Sequence, residues 1–306
     1  SFFFFFFFFF FFFFLCCSPP PPPPSPSPPP PKMALPLVAV VGGGAMGSLW
    51  AARLAASGAA RVQLVTRWAA QRAAVMAHGL TVHGPAQPPQ PPLLQVPAGS
   101  AQLQAVAPEA ATRGAAETVM VMVKSEGTAA AAKLAAELVR PRDGAVVTLQ
   151  NGLGHVEVLR QALPATTPLV VGVTSTGATM QGPGHVVQAA LAPVALSCPE
   201  HPGAVQRVAA LLERAGWATQ TVPTLESLVW GKLVINAAIN PLTALLGLRN
   251  GALLQPPWRH LMVAVAREAA AVAQAQHITL PYPDAEAAAL NVAQVFSFYV
   301  KGQRRE

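Results

Sequence analysis

Three glycines in the first part of the chain have the spacing of a loop that binds phosphate groups. Gly42 and Gly44 follow an apolar run at 37–41, and Gly47 lies near the start of an alanine-rich run at 45–57. In a strand, turn and helix with this spacing, the first glycine permits the turn, the second lets backbone N–H groups approach a pyrophosphate, and the third lets helix and strand pack closely. A glycine-rich surface turn is the alternative. The flanking strand and helix patterns favour dinucleotide binding.

An arginine follows the next predicted strand of this unit. Residues 61–66 are predicted to be that strand, and Arg67 comes directly after it. A site for NAD usually has a carboxylate at this position, which accepts a hydrogen bond from the ribose 2′-hydroxyl, whereas a guanidinium pairs with a 2′-phosphate. The position therefore predicts NADP(H) as the cofactor, with a solvated arginine at a strand end as the alternative.

A second set of polar side chains lies much further along, in an otherwise apolar helical run. Lys232, Asn236 and Asn240 are spaced four residues apart, which places them in one stripe of a helix. An ammonium and two amides in an apolar setting need partners. Pro241 also weakens the helix ladder just beyond them. A surface stripe on an amphipathic helix would normally carry more charges, so the pattern favours a functional site.

The elements that must position these residues alternate between strand and helix. Predicted strands at 37–41, 61–66, 80–83, 93–96, 118–123 and 145–149 are interleaved with predicted helices at 45–57, 68–78 and 127–139. This alternation predicts an α/β fold with a parallel, doubly wound sheet. Ligands of such sheets bind beyond the carboxyl ends of the strands, where the glycine loop, Arg67, Lys124 and Asn151 all fall.

The remaining chain divides into a strand-rich part and a helical part. Strand-like runs at 169–174, 185–188, 194–197 and 217–221 and a helix at 203–215 are expected to extend the sheet. Residues 181–184 have the composition of a hairpin turn between the first two of these runs. Strand signals end at Thr224, and residues 225–246, 257–276 and 284 to about 298 are predicted helices. We therefore expect a Rossmann-type domain at 33–223 and an all-helical domain at 224–306.

Residues 1–32 form a low-complexity leader that we set apart from the fold. Residues 2–14 are all phenylalanine and 18–31 are almost all proline. We expect this segment to be disordered or artefactual, with Met33 as the true start. A membrane-anchoring leader is the alternative, although the apolar run at 2–17 is shorter than the roughly 20 residues that a span needs.

Charge and cysteine content narrow the functional classes. The formal net charge of +7 is spread along the chain without a lysine and arginine cluster, so nucleic-acid binding is weakly supported. An anionic cofactor and an acidic substrate explain the charge equally well. Beyond the leader only Cys198 remains, which excludes an intrachain disulfide there and fits a reducing compartment. We expect a cytoplasmic protein with no metal and no membrane partner, and the sequence leaves a monomer or a homodimer open.

Five motifs together resemble the ketopantoate reductases, also called 2-dehydropantoate 2-reductases. The resemblance covers about residues 33–294 and rests on GGGAMG at 42–47, VKS at 123–125, QNGLG at 150–154, GVTSTGA at 172–178 and WGKLVINAAINPLTA at 230–244. The last motif is specific, because its lysine, both asparagines and its ending all match. Members of that family reduce ketopantoate to pantoate with NADPH, on the path to pantothenate and coenzyme A. They join a Rossmann domain to a helical domain, with the active site between them.

The resemblance implies a role for each matching residue. It gives NADPH binding to Gly42, Gly43, Gly44, Ala45, Met46, Gly47, Arg67, Lys124, Asn151 and Ala178. It makes Lys232 the proton donor and gives substrate binding to Asn151, Lys232, Asn236, Asn240 and Asn250. General chemistry agrees, because hydride delivery to a 2-oxo carbon leaves an alkoxide that a positioned ammonium can stabilise and protonate.

The chain departs from the family pattern near its end. Family members continue with a serine-containing substrate segment and a glutamate near the cofactor, and neither motif follows Gln294 here. A truncated helical domain is the expectation, with NADPH binding retained and ketopantoate reduced poorly or not at all. The alternatives are therefore a catalytically impaired NADP(H)-binding homologue and a reductase of another branched 2-oxo acid.

Overall fold

The computed structural model of the chain describes residues 34–85 and 91–297. The expectations for the leader at 1–32, for Met33 and for the end of the last helix at Phe298 lie outside these residues. The elements below all belong to one unit that begins at Leu35.

Strands occupy most of the chain up to Thr221, and long helices follow. The strands of the described residues are β1 Leu37–Val41, β2 Arg61–Val65, β3 Leu80–His83, β4 Leu94–Val96, β5 Leu103–Val106, β6 Thr118–Val121, β7 Ala145–Thr148, β8 Leu169–Thr174, β9 Gly177–Gly182, β10 His185–Ala190, β11 Val194–Ser197 and β12 Thr219–Thr221. The α-helices are α1 Ala45–Ala56, α2 Ala69–His78, α3 Thr128–Leu138, α4 His155–Ala162, α5 Pro202–Arg214, α6 Glu226–Leu246, α7 Trp258–Ala275 and α8 Ala285–Val295.

The larger sheet has eight strands in the order β12-β11-β8-β7-β6-β1-β2-β5. The six strands from β8 to β5 run parallel to their neighbours, β11 pairs antiparallel to β8, and β12 runs parallel to β11. The chain leaves β1 for β2 on one side and later returns to β6 on the other side. This reversal opens a crevice at the carboxyl end of β1 and confirms the predicted parallel α/β sheet.

Both faces of this sheet are covered, as the apolar strands require. Val38 and Val40 face a core shared with α1, whereas Ala39 and Val41 face a second core shared with α3. This alternation follows from the two-residue period of a strand, and burial on both faces explains why β1 is apolar throughout. Cys198 is a buried core residue, as expected of a lone cysteine.

A separate four-stranded sheet has the order β4-β3-β10-β9. Strand β3 runs parallel to β10, and the two outer pairs are antiparallel. The predictions that the runs at 80–83, 93–96 and 185–188 belong to the larger sheet are wrong, because β3, β4 and β10 pair within this smaller sheet. The predicted turn at 181–184 is a hairpin turn, but it joins β9 to β10 and does not follow the run at 169–174. Helix α1 contacts strands of both sheets and so lies between them.

The helical part begins at Glu226 and has its own core. Helices α6, α7 and α8 pack around buried side chains that include Ile239, Leu253 and Met262. Asp284 caps α8 by accepting from the N–H groups of Glu286 and Ala287 at 2.8 and 3.2 Å. These helices lie where the sequence predicts them.

Helix α6 is the one helix within 34–85 and 91–297 that is long and apolar enough to cross a membrane by length and composition. It carries Glu226 and Lys232, so it is not an uncharged apolar stretch. One such helix is weak evidence for a membrane span, because the core helix of a soluble protein passes the same test.

Candidate active site

The glycine loop has the backbone geometry that its spacing predicts. Gly42 has φ of 118°, and a Cβ added there would lie 2.8 Å from the carbonyl oxygen of Met122. A Cβ on Gly47 would lie 1.8 Å from the carbonyl oxygen of Gly42. Both positions therefore require glycine, the first for its left-handed conformation and the second for the close approach of α1 to the loop.

Gly44 differs from these two glycines because its surroundings are open. It is exposed, and a Cβ added there would meet nothing within 4 Å. It is also the N-cap of α1, with no side-chain cap and no acidic residue in the first helical turn. The first N–H groups of a helix have no intrahelical partner and carry a partial positive charge. This end of α1 is therefore suited to an anion such as a pyrophosphate.

The loop after β2 lies against the glycine loop. Arg67 is exposed, and the buried Thr66 before it would meet a Cβ added to Gly43 at 2.6 Å. Thr66 is held on both sides, because its Oγ1 accepts from the N–H of Trp68 at 3.2 Å and its carbonyl accepts from Nη1 of Arg72 at 2.7 Å. The loop after β2, which carries Arg67, therefore lies beside the glycine loop, and hydrogen bonds to Thr66 fix the backbone just before Arg67.

A glutamine joins the next two loops at the same sheet edge. Nε2 of Gln150 donates to the carbonyl of Val123 at 3.0 Å and to Oγ1 of Thr128 at 2.9 Å. The loops after β6 and β7 are therefore tied together. Lys124 and Asn151, both exposed, are the direct neighbours of the two anchored residues. The sequence motif contains Gln150 without suggesting this role.

Lys232 reaches this edge from the helical part. Its Nζ donates to the backbone carbonyl of Thr174, the last residue of β8. Because β8 is parallel to β7, that carbonyl lies at the same edge as the ends of β1, β2, β6 and β7. We call this line of strand ends, from β8 to β2, the carboxyl edge. Lys232 and the glycine loop therefore lie at the same edge of the sheet.

The turn of α6 that carries Lys232 is packed against the segment before α8. The hydroxyl of Tyr282 donates to the carbonyl of Gly231 at 2.8 Å, and a Cβ on Gly231 would lie 2.5 Å from Cδ of Pro281. Burial raises the pKa of Tyr282 to about 12, so the phenol stays a proton donor at neutral pH. Because residue 231 is glycine, this turn of α6 can pack closely against Pro281 and Tyr282. The contact holds the turn that carries Lys232 in place.

The three remaining asparagines differ in their surroundings. Asn236 and Asn240 are half-buried on α6, about 6 and 12 Å along the helix axis from Lys232 at a rise of 1.5 Å per residue. Asn250 begins the 3₁₀-helix Asn250–Leu254 and is 6% exposed. Its Oδ1 is buried and has no hydrogen-bond partner among the residues described. A buried acceptor of this kind usually has a partner.

Two threonines hold the passage from β8 to β9. Oγ1 of Thr174 donates to Oγ1 of Thr176 at 3.0 Å, and Oγ1 of Thr176 donates to the carbonyl of Ala192 at 3.2 Å. Ala178 is half-buried in β9 and packs against the core that contains α1. This passage therefore has a fixed backbone next to the carbonyl that Lys232 binds.

One histidine near the site has an altered acidity. His155 begins α4, is 8% exposed, and its Nδ1 has no partner within the described parts of the chain. Burial lowers the pKa of His155, and the nearby Glu157 carboxylate offsets part of this shift. The positive end of the helix dipole disfavours the imidazolium in the same way. We therefore expect a neutral imidazole at pH 7.

Family comparison covers both parts of the chain. Residues 38–201 match the family model described as "Ketopantoate reductase PanE/ApbA", and residues 224–298 match the model of the C-terminal part of the same family. A 2-dehydropantoate 2-reductase of Halobacterium salinarum is 38% identical over 171 residues, which are 54% of this chain and 54% of that protein. The chain therefore matches about half the length of this relative.

Two solved structures extend the likeness over most of the chain. A PanE/ApbA family ketopantoate reductase from Ralstonia eutropha JMP134 superposes with a TM-score of 0.73 at 26% identity, over 87% of this chain and 83% of that one. A D-mandelate dehydrogenase solved with NADH and anilino(oxo)acetate gives a TM-score of 0.73 at 22% identity, over 84% and 80%. At that identity, the second likeness concerns the fold alone.

Proposed function

The chain belongs to the ketopantoate reductase PanE/ApbA family, and on that premise we propose that it reduces 2-dehydropantoate to pantoate with NADPH. The observation that carries this proposal is the hydrogen bond from Lys232 to the carbonyl of Thr174, which supports an ammonium at the carboxyl edge, the same edge that carries the glycine loop. Synthesis of pantothenate and coenzyme A is the corresponding pathway.

The residues of the carboxyl edge fit a dinucleotide. The backbone of Gly42, Gly43 and Gly44 and the first turn of α1, with Ala45, Met46 and Gly47, would hold the pyrophosphate. Arg67, exposed and next in sequence to the Thr66 that lies against Gly43, would pair with the 2′-phosphate through charge-assisted hydrogen bonds, which favours NADPH over NADH. Lys124, Asn151 and Ala178 would complete the cofactor site.

Reduction of a 2-oxo acid needs a hydride and a proton. Bound NADPH supplies the hydride. Lys232 would give its ammonium proton to the oxygen that becomes the new hydroxyl and recover a proton from solvent afterwards. The ammonium also stabilises negative charge on that oxygen, and the Thr174 carbonyl, with the packing of Gly231, keeps it in place.

The polar groups of the helical part would select the substrate. Asn236 and Asn240 share the stripe of Lys232, and Asn250 offers a buried acceptor. Hydroxyl and carboxylate groups of ketopantoate are suitable partners for amides, and a pocket built for hydrogen bonds discriminates strongly against ligands that lack them. Asn151 would contact both the substrate and the cofactor.

The same proposal includes the division of the chain into two parts and its cellular location. The end of β12 at Thr221 and the start of α6 at Glu226 support a division into an NADP-binding part at 33–223 and a helical substrate part at 224–306. We place the protein in the cytoplasm, since its relative from Halobacterium salinarum carries the name of a small-molecule reductase.

Substrate discrimination tests the proposal. NADPH oxidation by the 306-residue chain is followed with ketopantoate and, separately, with 2-oxoisovalerate, which lacks the hydroxymethyl group. We expect a higher kcat/KM for ketopantoate. Equal kcat/KM values for the two acids would assign the chain to another branched 2-oxo acid. NADPH that binds but is not oxidised with either acid would identify a non-catalytic homologue.

A further inference from the structure

A chain of buried side chains runs beneath the glycine loop. Gln71 of α2 and Ser48 of α1 are both 0% exposed. Oε1 of Gln71 accepts from the N–H of Gly184 at 2.8 Å, Nε2 of Gln71 donates to Oγ of Ser48 at 3.0 Å, and Oγ of Ser48 donates to the carbonyl of Gly43 at 3.3 Å. We propose that this Gln71–Ser48 relay is a positioning device that sets the Gly43–Gly44 peptide for the cofactor pyrophosphate.

The direction of each hydrogen bond in the relay is fixed by chemistry. The N–H of Gly184 can only donate, so the amide atom that faces it is the oxygen of Gln71. The amide nitrogen then faces Ser48 and donates to it. The hydroxyl of Ser48 therefore has its own proton available, and the carbonyl of Gly43 is the acceptor in reach. Every member donates onward, and the relay ends on the glycine loop.

The last bond of the relay decides where a loop N–H points. The carbonyl of Gly43 and the N–H of Gly44 belong to one planar trans peptide and point in opposite directions. Because Ser48 holds the carbonyl toward the buried side, the N–H of Gly44 is directed to the other side. That side is the open one, since a Cβ on Gly44 would meet nothing within 4 Å. The relay therefore aims a hydrogen-bond donor at the place where an anion would bind.

The relay also connects the glycine loop to the smaller sheet. Gly184 lies in the turn between β9 and β10, and its carbonyl accepts from the N–H of Thr81 in β3. Ala178 lies in β9, which is the other arm of that hairpin. The same buried glutamine thus ties the pyrophosphate loop to the hairpin that lines the cofactor site.

This inference rests on the proposed function, because it assumes a dinucleotide at the glycine loop. Three probes separate the parts of that ligand in calorimetric titrations of the full chain. NADPH engages the whole site, inorganic pyrophosphate engages the loop, and adenosine 2′-monophosphate engages the region of Arg67. A fold defect would weaken the binding of all three probes. A misdirected loop peptide would weaken the binding only of NADPH and pyrophosphate.

The variants exploit the fixed direction of the relay. Ser48→Ala removes the donor to Gly43. Gln71→Glu keeps size and shape, but its carboxylate cannot donate and instead attracts the Ser48 proton away from Gly43. Gln71→Met removes both polar atoms and leaves the Ser48 hydroxyl free to donate to Gly43. We expect Ser48→Ala and Gln71→Glu to lower the affinity for NADPH and for pyrophosphate about tenfold. Gln71→Met should lower both affinities less.

The double variant and the third probe complete the test. Ser48→Ala with Gln71→Glu should bind NADPH no more weakly than Ser48→Ala alone, since both act through one bond. Adenosine 2′-monophosphate should bind all variants equally. If Ser48→Ala does not fold, Ser48→Cys, a weaker donor of similar size, replaces it with a smaller expected loss.

The contrary results are distinct. NADPH affinity of Ser48→Ala or Gln71→Glu within about twofold of the original chain would overturn the relay as a positioning device. An equal loss for adenosine 2′-monophosphate would reduce the relay to a structural role and also overturn it. Absence of NADPH binding by the unmodified chain would instead overturn the proposed function, and the relay inference with it.

Discussion

Lys232 and Thr174 are 58 positions apart in the sequence, and a hydrogen bond from the lysine Nζ to the threonine carbonyl joins them. The bond connects the first long helix of the helical part to the end of a central strand. It therefore brings Lys232, the first residue of the polar stripe of α6, to the edge that carries the glycine loop. The proposed chemistry depends on this meeting of two parts of the chain.

Lys232→Ala should lower kcat by about 10²- to 10⁴-fold while NADPH affinity stays nearly unchanged, because general acid catalysis contributes rate and not cofactor binding. Lys232→Arg separates the two roles of the side chain. A guanidinium can keep the bond to Thr174 but does not give up its proton. Steady-state assays should find the kcat of both variants lowered to this degree and the exposed Lys133→Ala fully active. A Lys232→Arg enzyme with most of its kcat would remove proton donation from the mechanism.

Arg67→Ala should weaken NADPH binding about tenfold or more and leave NADH binding unchanged, since a charge-assisted bond to the 2′-phosphate contributes about 1.5–3 kcal/mol. Fluorescence titration of both cofactors measures the two affinities. Arg61 is exposed at the opposite end of the same strand, so Arg61→Ala is the matched control. Equal affinity of the unmodified chain for NADPH and NADH would rule out this role of Arg67.

The same substitution should act differently at two glycines of the loop. Gly47→Ser places a Cβ within 1.8 Å of the Gly42 carbonyl, and such overpacking costs roughly 1–3 kcal/mol of folding stability. Gly44→Ser meets open space at a position where serine is a good N-cap, so stability should hold. Its hydroxyl would compete with the pyrophosphate and weaken NADPH binding. Thermal unfolding measures the stability of both variants, and titration measures their NADPH affinity. A Gly47→Ser variant as stable as the original chain would contradict the packing argument.

The sequence predicts the chemistry-bearing loops well because their signals are local. The strand, turn and helix around Gly42 depend on neighbours within a few residues. The alternation of elements predicts most of the larger sheet but misses its edge strand β5. Strand β9 is not predicted because it begins at Gly177 and ends at Gly182, and glycine weakens strand signals. The smaller sheet could not be predicted, since pairing of β3 with β10 joins segments about a hundred residues apart.

Positioning residues are the least visible in the sequence. Gln71 is an ordinary polar residue in a predicted helix, and only its complete burial shows that it works as a link. Gln150 and Thr66 are similar, because Gln150 bonds to the loop after β6 and Thr66 lies against the glycine loop. The stripe of Lys232, Asn236 and Asn240 could be found, but its meeting with β8 depends on how the helical part packs. The roles of Asn236 and Asn240 stay predictions.

Asn250→Leu should raise KM for ketopantoate about tenfold without lowering the thermal midpoint, because it removes a buried acceptor that has no partner within the described structure. Loss of an unsatisfied polar atom does not cost stability, whereas loss of a ligand contact costs affinity. Asn291→Ala on the exposed face of α8 is the control. An unchanged KM would remove Asn250 from the substrate site.

His155 should make the fold sensitive to acid. Burial holds its pKa below the value of about 6.5 in the unfolded chain, so the unfolded state binds more protons as the pH falls below that value. Stability is therefore lost as the pH drops from about 6.5 toward the folded-state pKa. Thermal midpoints across this range should fall less in His155→Gln than in the original chain, and the exposed His78→Gln should behave as the original chain does. Identical pH profiles for all three proteins would contradict the argument.

The most direct test of the account is a single assay of NADPH oxidation by the 306-residue chain, with and without ketopantoate, beside Lys232→Ala. The account predicts an oxidation rate that depends on ketopantoate, however slow, and that the lysine substitution abolishes while NADPH still binds. NADPH binding with no ketopantoate-dependent oxidation in the original chain, or an unchanged rate in Lys232→Ala, would contradict it.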